Sequence, residues 1–586
     1  MKKRILWCGL SLLLVAALVL SSCAKEVTPT APTAPTAPTA PTTPAAGEPQ
    51  YGGTVSFFTE WGNQDPTSWD PCGYGIWLTS IWANPYLEWL LRGDVEKYGP
   101  RGTNEYSFEY CEYIPEQFLR GELAESYEII AEPLSIIFHI RPGVMWAGNT
   151  NIGMEPREVT AYDVAAALQR NTIDHPDFAF LFSWLKSVTA TDSSTVVFEL
   201  NNWEANWLFN VGSGMIMGSI YPPEALEAGL DDWRNAVGTG PFIITNYVKS
   251  SEVVYERNAN YWRTTTIKGK EYELPFIDKL IYPIIPDEST QVAALRTGKL
   301  DIWPRTPTVY SDTLTRTCPE LIQDKWLSGR VTPLSFNCLP GFGHFSDRDV
   351  RRAFMIGTDL KAVRNTIYGQ GEVYSWPLSP GIPGYTPLEE LPESTQELFN
   401  YDPVKAKQLL ADAGYPTGFK LELIVTTGRV EQDLASLLAS MWKNIGVETE
   451  LVVMESAALT SLERPPTFQD CVLSGPITVV NPYTAMYGPS VLTDTGNPWM
   501  DEHADELFAE LTAEVDSVKR TALIKELALY FLDNAIKIPF ANPYNLCCYW
   551  PWVKNYYGEI DTGFYNAMPM LSTLWIDQDM KAQMGY

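Results

Sequence analysis

Catalysis requires a nucleophile, a metal or a proton relay, and this sequence presents none at a spacing that would assemble one locally. Its four histidines, His139, His175, His344 and His503, lie far apart, with none of the short intervals that ligate zinc. Beyond Cys8 and Cys23 the cysteines are Cys72, Cys111, Cys318, Cys338, Cys471, Cys547 and Cys548. No pair matches a zinc or redox motif, and an odd number leaves at least one thiol over if disulfides form. No Ser or Cys stands in a nucleophile motif. A hydrolase built on two convergent carboxylates about 5–9.5 Å apart has a signature that is geometric, so that class stays open at this level. No cofactor and no metal are expected from these residues. The formal charge of -29 over 586 residues disfavours nucleic acid or an anionic lipid surface as its partner.

The elements that must position a binding site begin after residue 50. Before them, Lys2, Lys3 and Arg4 precede an apolar run from Ile5 to Leu20, interrupted only by Cys8, Gly9 and Ser11 and ending in Leu20-Ser21-Ser22-Cys23. A cationic start, a short apolar core and small residues before a cut mark a secretory signal, and the run is short of the roughly 20 residues of a spanning helix. A cysteine directly after that site resembles the lipobox of bacterial lipoproteins. The resemblance implies removal of residues 1–22, lipid on Cys23 and an extracytoplasmic, membrane-anchored location. Residues 23–49 read as the lipidated cysteine and an Ala-Pro-Thr spacer without a core, favouring polyproline II at about 3.1 Å per residue.

Helix and strand signals alternate in the C-terminal half. Asp402 suits an N-cap and Pro403 a first helical position; Ala406, Leu409, Leu410 and Ala413 share a face, and Gly414 with Pro416 ends the helix. Phe419, Leu421, Leu423 and Val425 alternate as a strand. A second helix follows with Leu434, Leu437, Leu438, Met441, Trp442 and Ile445 on one side, closed by Gly446, and strand character returns from Val447 to Val453. That order predicts a βαβ unit and a parallel sheet, hence an α/β fold. Helices are also predicted over Glu288 to Thr297, capped by Asp287, and over Asp347 to Ile356. Ser135 to Ile140 reads as a buried strand ending in the turn Arg141-Pro142-Gly143. Gly238 and Gly240 call for positive φ or close backbone approach.

A series of ordered motifs then carries a family resemblance. Leu123-Ala124-Glu125-Ser126-Tyr127 leads to Ile137-Phe138-His139-Ile140-Arg141-Pro142-Gly143-Val144 with Trp146, then Val159-Thr160-Ala161-Tyr162-Asp163-Val164. Val237-Gly238-Thr239-Gly240-Pro241-Phe242 and Arg257-Asn258-Ala259-Asn260-Tyr261-Trp262 follow. Ala294-Leu295-Arg296-Thr297-Gly298, Phe336-Asn337, Asp349-Val350-Arg351-Arg352-Ala353 and Tyr401-Asp402-Pro403 to Ala413-Gly414-Tyr415 complete it. The set, over about residues 50 to 586, resembles the oligopeptide, dipeptide and nickel class of solute-binding proteins of ATP-driven importers, family 5.

The resemblance implies a two-lobed α/β fold of the periplasmic-binding-protein type II (cluster C), with an extra domain inserted in the first lobe. The expected segments are 50–80, 225–302 and 541–586 for the first lobe, 81–224 for the insertion and 303–540 for the second lobe. It implies a monomer that encloses a small-molecule, oligopeptide or oligosaccharide ligand by hinge closure, delivers it to ABC permease subunits and performs no chemistry on it. Alternatives are an oligosaccharide receptor of the same fold, a sensor or adhesin, or a secreted carbohydrate-active hydrolase.

Peptide-binding relatives hold the ligand's amino terminus with an aspartate in a second-lobe loop, since a buried ammonium requires a paired carboxylate. Here the loop reads Ser474-Gly475-Pro476-Ile477-Thr478-Val479-Val480-Asn481-Pro482, and Thr478 takes the aspartate's place with only neutral hydrogen bonds to offer. The other positions implied for the ligand are Tyr74 and Trp77 on the first lobe, Phe180 on the insertion, and Trp376, Tyr483, Asn497 and Trp499 on the second lobe. Glu455 and Arg464 are the charged candidates. Aromatics make up 12% of the chain, so core packing competes with ligand contact at each of them.

Overall fold

The computed structural model describes residues 47–586 apart from 60–61, 73–75, 110–112, 177–178, 214–215, 375, 464–465, 487–497 and 564–565, and gives residues 76–78, 180 and 216 by backbone alone. The capping signals act as the sequence predicts. Asp402 accepts from the backbone N–H of Val404 and Lys405 at 3.0 and 2.9 Å, and Pro403 opens the helix Pro403–Asp412. Asp287 caps Glu288–Arg296 and Asp347 caps Arg348–Ile356. Thr160 and Asp163 form a reciprocal capping box at the start of Ala161–Asn171, satisfying two donors that a helix start leaves orphaned.

The predicted βαβ unit forms: Lys420–Thr426 runs parallel to Glu448–Met454 with Arg429–Trp442 between them. Leu434, Leu438, Met441, Trp442 and Ile445 are buried, and Ala435 joins them, while Leu437 is half-buried at the edge of the stripe. These strands belong to the five-stranded second-lobe sheet, in the order 448–454, 420–426, 471–473, 333–336, 537–539. The first-lobe sheet runs 54–56, 279–283, 252–257, 242–248. The insertion carries its own sheet, 124–131, 134–140, 195–200, 185–190, with Ala161–Asn171 packed on it through Val164 and Leu168 against Ile136, Phe138 and Phe198. Joining the lobes is a fourth sheet of Ile302–Pro307, Asn542–Tyr549 and Ile322–Leu327, with Gly371–Glu372 pairing onto the central strand.

The apolar cores divide the chain differently from the expected segments. Trp82, Leu87 and Phe108, expected in the insertion, and Leu314, Leu321 and Trp326, expected in the second lobe, are buried in the first-lobe core. Adjacency in the chain is a poor guide here because the crossing strands fold back onto the first lobe before they leave it. Among the described residues no disulfide forms; Cys72, Cys318, Cys338, Cys471, Cys547 and Cys548 are all buried. Neighbouring residues of one strand, such as Cys547 and Cys548, face opposite sides of the sheet.

Two of the recurring motifs meet at one turn. Gly238 and Gly240 are absent from the left-handed region; their role is proximity, since a Cβ on Gly238 would stand 1.6 Å from the Tyr86 carbonyl oxygen. Gly240 N–H donates to that oxygen at 2.9 Å, and Asn258 donates from its side chain to Gly240 O and from its backbone to Pro241 O, both at 2.8 Å. Beside this turn a buried charge cluster fastens the insertion to the first lobe. Arg92 and Glu122 are fully buried, 3.6 Å apart, and Arg263 reaches Glu96 at 3.0 Å. Arg263, Arg92 and Arg120 hold Glu96 down at about 2 against its own burial, whereas burial and the charge on Glu122 push Glu88 well above the carboxylate range. Trp262 of the Arg257-to-Trp262 motif donates to Glu88 at 3.0 Å.

Asp301, 2% exposed, anchors the first crossing strand. Its carboxylate accepts from Ser56 N at 2.8 Å, Trp552 Nε1 at 2.7 Å and Lys581 Nζ at 2.7 Å. Replacing it leaves buried donors and a cation unmatched, so Asp301→Ala should lower unfolding stability by about 3–5 kcal/mol in urea titration. A change below about 1 kcal/mol would show that the three contacts are not coupled through this carboxylate.

Candidate functional site

The chain enters the second lobe along Ser328 to Thr332 and returns along Phe540 to Asn542, and the two passages run side by side. Ser328 N donates to Pro543 O at 3.0 Å, Ser328 Oγ to Asn542 Oδ1 at 2.7 Å, and Phe540 N to Thr332 O at 3.4 Å. Gly329 sits at φ 68°, a left-handed conformation that glycine adopts without a Cβ penalty. The loop singled out for ligand reading is stitched to this passage. Ile477–Thr478 pairs antiparallel with Arg330–Val331, and Val479 N donates to Gly329 O at 2.9 Å. Thr478 is half-buried, its hydroxyl accepting from Val480 N at 3.4 Å. Residues 474–482 contain no carboxylate.

Directly after that loop, Asn481 caps the helical turn Pro482–Ala485 and so fixes Tyr483. Tyr483 is buried and its ring lies 6.4 Å from that of Tyr113 across the gap between the lobes. Against this pair opens a cavity of about 380 Å³ whose walls come from the insertion, the first lobe and the second lobe. Trp203 and Trp207, Tyr113, and then Tyr483, Arg520 and Ile524 line it. Its size lies within the range of small-ligand sites, and its aromatic walls offer flat apolar faces beside a few polar groups. Burial pushes the Tyr483 phenol up to about 12 and raises Tyr113 as well, so both are neutral donors. Glu204, on the same insertion segment, is pushed by burial up to about 7, and it accepts from the Asn206 backbone N–H at 3.0 Å. A smaller recess of about 30 Å³ on the first-lobe side, next to Thr59, Arg305 and Asp561, has room for little more than water.

Among the described residues, those expected to face a ligand are not brought together as a group. Tyr483 lines the cavity and Thr478 lies at the hinge. Trp376 and Trp499, expected on the cleft wall, are 1% and 6% exposed and pack on Phe531 with ring centroids 6.3 and 5.6 Å away. They fill the second-lobe core, where an aromatic side chain buries the most area. Glu455 is exposed at the start of Ser456–Glu463. Trp77 and Phe180 lie in Ile76–Ala83 and Ala179–Phe182, placed by backbone alone. Tyr74, Arg464, Asn497 and the lipidation site Cys23 fall outside the described residues. Sequence reasoning missed Tyr113, Trp203, Trp207 and Arg520. The one local hint was the four-residue spacing of the two tryptophans, which a core helix would share.

The histidines are occupied elsewhere: His175 is buried on Cys72 O at 2.6 Å, and His344 stacks on Phe419 at 3.9 Å while bonding Asp470 at 3.1 Å. His139 pairs with Glu128 at 3.4 Å, and His503 meets the Tyr530 ring at 4.9 Å. Among the described residues no group of three or more His, Cys, Asp or Glu side chains could hold a metal ion.

Comparison with known proteins agrees with this architecture. Residues 119–496 match the profile described as bacterial extracellular solute-binding proteins, family 5 Middle. Heme-binding protein A of Haemophilus influenzae is 33% identical over 363 residues, 57% of this chain and 62% of that protein's own length. Di/tripeptide-binding protein 1 of Pseudomonas aeruginosa is 25% identical over 455 residues, covering 72% of this chain and 81% of the relative. Among solved structures, the ABC transporter-associated periplasmic binding protein of Helicobacter pylori in complex with a peptide superposes with a TM-score of 0.69 at 22% identity, covering 90% of this chain and 99% of that one. The last likeness establishes the two-lobed fold.

Glu204 gives the site a pH dependence of definite sign. Its carboxyl keeps a proton up to about 7 in the folded chain, against an ordinary value of 4.5. Between these values the folded state binds the extra proton, so its contribution to stability falls as pH rises through the window. Glu204→Gln should therefore flatten the decline of the thermal midpoint between about pH 5 and 7; an unaltered slope would mean that the carboxylate is solvated.

Proposed function

Since the chain belongs to the bacterial extracellular solute-binding proteins of family 5, we propose that it is the extracytoplasmic receptor of an ABC importer, enclosing a peptide-like solute between its lobes and presenting the closed form to permease subunits. The observation that supports this reading best is the cavity between Tyr113 and Tyr483, walled by both lobes and set beside a loop that rides on the hinge. A receptor of this kind binds and releases without altering its ligand, and the site holds aromatic faces beside the paired Arg520 and Glu116. The anchor belongs to the same proposal: lipid on Cys23 keeps a monomeric receptor at high local concentration near its permease.

Peptide is favoured over other solutes because two of the compared proteins carry peptides in their names or complexes. A free-amine clamp is missing from this chain's loop, where Thr478 stands. At that loop an amino end would meet hydroxyl and carbonyl groups rather than a carboxylate, which weakens selection there for a charged terminus. Aromatic walls also suit sugar rings, and an oligosaccharide is the second reading for that reason.

Native mass spectrometry of the protein as purified should detect a retained solute, and its mass separates peptide from sugar. Small-angle scattering should record a smaller particle with a tight binder than without; an unchanged radius would exclude hinge closure. Thr478→Asp should raise affinity for free-amine dipeptides about tenfold, about 1.4 kcal/mol, while leaving N-acetylated dipeptides unaffected. Equal effects on both would place the terminus elsewhere.

A further inference from the structure

The segment that follows the insertion's strand Thr195–Leu200 crosses to the second lobe. Ala205 N donates to Thr512 O at 2.8 Å, and Trp203 Nε1 donates to Glu514 O at 3.2 Å. Both acceptors lie at the C-terminal end of the helix Glu502–Ala513, where the last carbonyls have no partner within the helix. Ala205 is itself buried in the second-lobe core. On the other flank, Arg520 of Ser517–Asp533 holds Val515 O at 2.6 Å within its own lobe and reaches Glu116 Oε2 of the first lobe at 3.1 Å. The Arg520 side chain is 12% exposed and that of Glu116 44%, so the pair is open to solvent on the Glu116 side and contributes modestly. Together these contacts roof the cavity at the Tyr113 and Tyr483 pair.

The insertion is fastened to the first lobe by the buried Arg92, Glu122 and Arg263 cluster, so it moves with that lobe when the hinge turns. Opening therefore breaks all the seam contacts at once, while the crossing sheet keeps its own hydrogen bonds. We propose that the inserted subdomain, together with the first-lobe Glu116 beside it, is the clasp of the closed receptor, and that Glu116, Trp203, Ala205 and Arg520 are positioning residues that set how long a captured solute is held. The clasp rests on the reading of the chain as a closing receptor. It assigns to the insertion a share of the open–closed equilibrium that is already present without solute.

The test uses the full chain with spin labels on Tyr162→Cys, exposed on the insertion, and Val404→Cys, exposed on the second lobe. Pulsed electron resonance then reads the closed and open populations with and without an equimolar pool of alanyl, phenylalanyl and lysyl di- and tripeptides. Arg520→Gln and Trp203→Phe, the second keeping an aromatic ring but losing the indole N–H and part of its area, should each shift the closed-to-open ratio about two- to fivefold toward open. Combined with Glu116→Gln, Arg520→Gln should show no further loss, since the two remove one contact. Populations that respond to the peptide pool but are equal in parent and clasp variants would overturn the clasp alone. A single distance that responds to neither peptides nor variants would overturn the receptor reading and the clasp with it.

Discussion

Asp301 is a buried anion whose partners come from three distant parts of the chain: Ser56 near the first strand, Trp552 in the C-terminal segment and Lys581 in the last helix. A carboxylate taken out of water must be matched by donors, and that requirement brings both ends of the folded body to one point. The next residue begins the crossing strand Ile302–Pro307. Around the anchor, Trp550 and Trp552 stack with centroids 4.6 Å apart, and the Tyr586 ring lies against both. Gly298 is confined to φ 65°, and a Cβ there would meet the Tyr586 ring at 2.3 Å. The glycine that ends the Ala294-to-Gly298 motif is thus explained by the packing of the hinge root.

From that root the mechanical parts follow. The crossing sheet is held by Asn542–Tyr549 between two partners, and beyond it the narrow passages at Gly329 and Phe540 carry the second lobe. The ligand-reading loop is paired to the first of these passages, so a change in hinge angle carries Thr478 and Tyr483 with it. The insertion is tied to the first lobe by buried charges. The seam between insertion and second lobe is therefore a true lobe-to-lobe contact, and the aromatic cavity exists only where both sides meet. Enclosure by two rigid bodies suits a protein that must hold a solute and then let it go.

Much of the fold was legible because its signals are local. The caps Asp287, Asp347 and Asp402, the alternation of Leu421, Leu423 and Val425, and the return strand after Gly446 each depend on residues a few positions apart. The site was legible only where a position could be tied to the chain's own loop, as at Thr478 and Tyr483. Trp376 and Trp499 show why the rest was not: an aromatic stripe looks the same whether its partner is Phe531 or a ligand. The first-lobe residency of Leu314 and Trp326 was hidden for a like reason, since a segment's lobe is decided by what it packs on.

The sequence alone determined the α/β order, the helix boundaries, the family motifs and the absence of a carboxylate in the loop 474–482, all matters of residue type and short spacing. Only the tertiary structure decided that Asp301 gathers both ends of the folded body and that Gly238 is needed for proximity to Tyr86. It alone put Trp203, Arg520 and Glu116 at one seam. These partners lie hundreds of residues apart, with 404 positions between Arg520 and Glu116. No periodicity reaches across such a distance; burial and hydrogen-bond matching in the assembled lobes do.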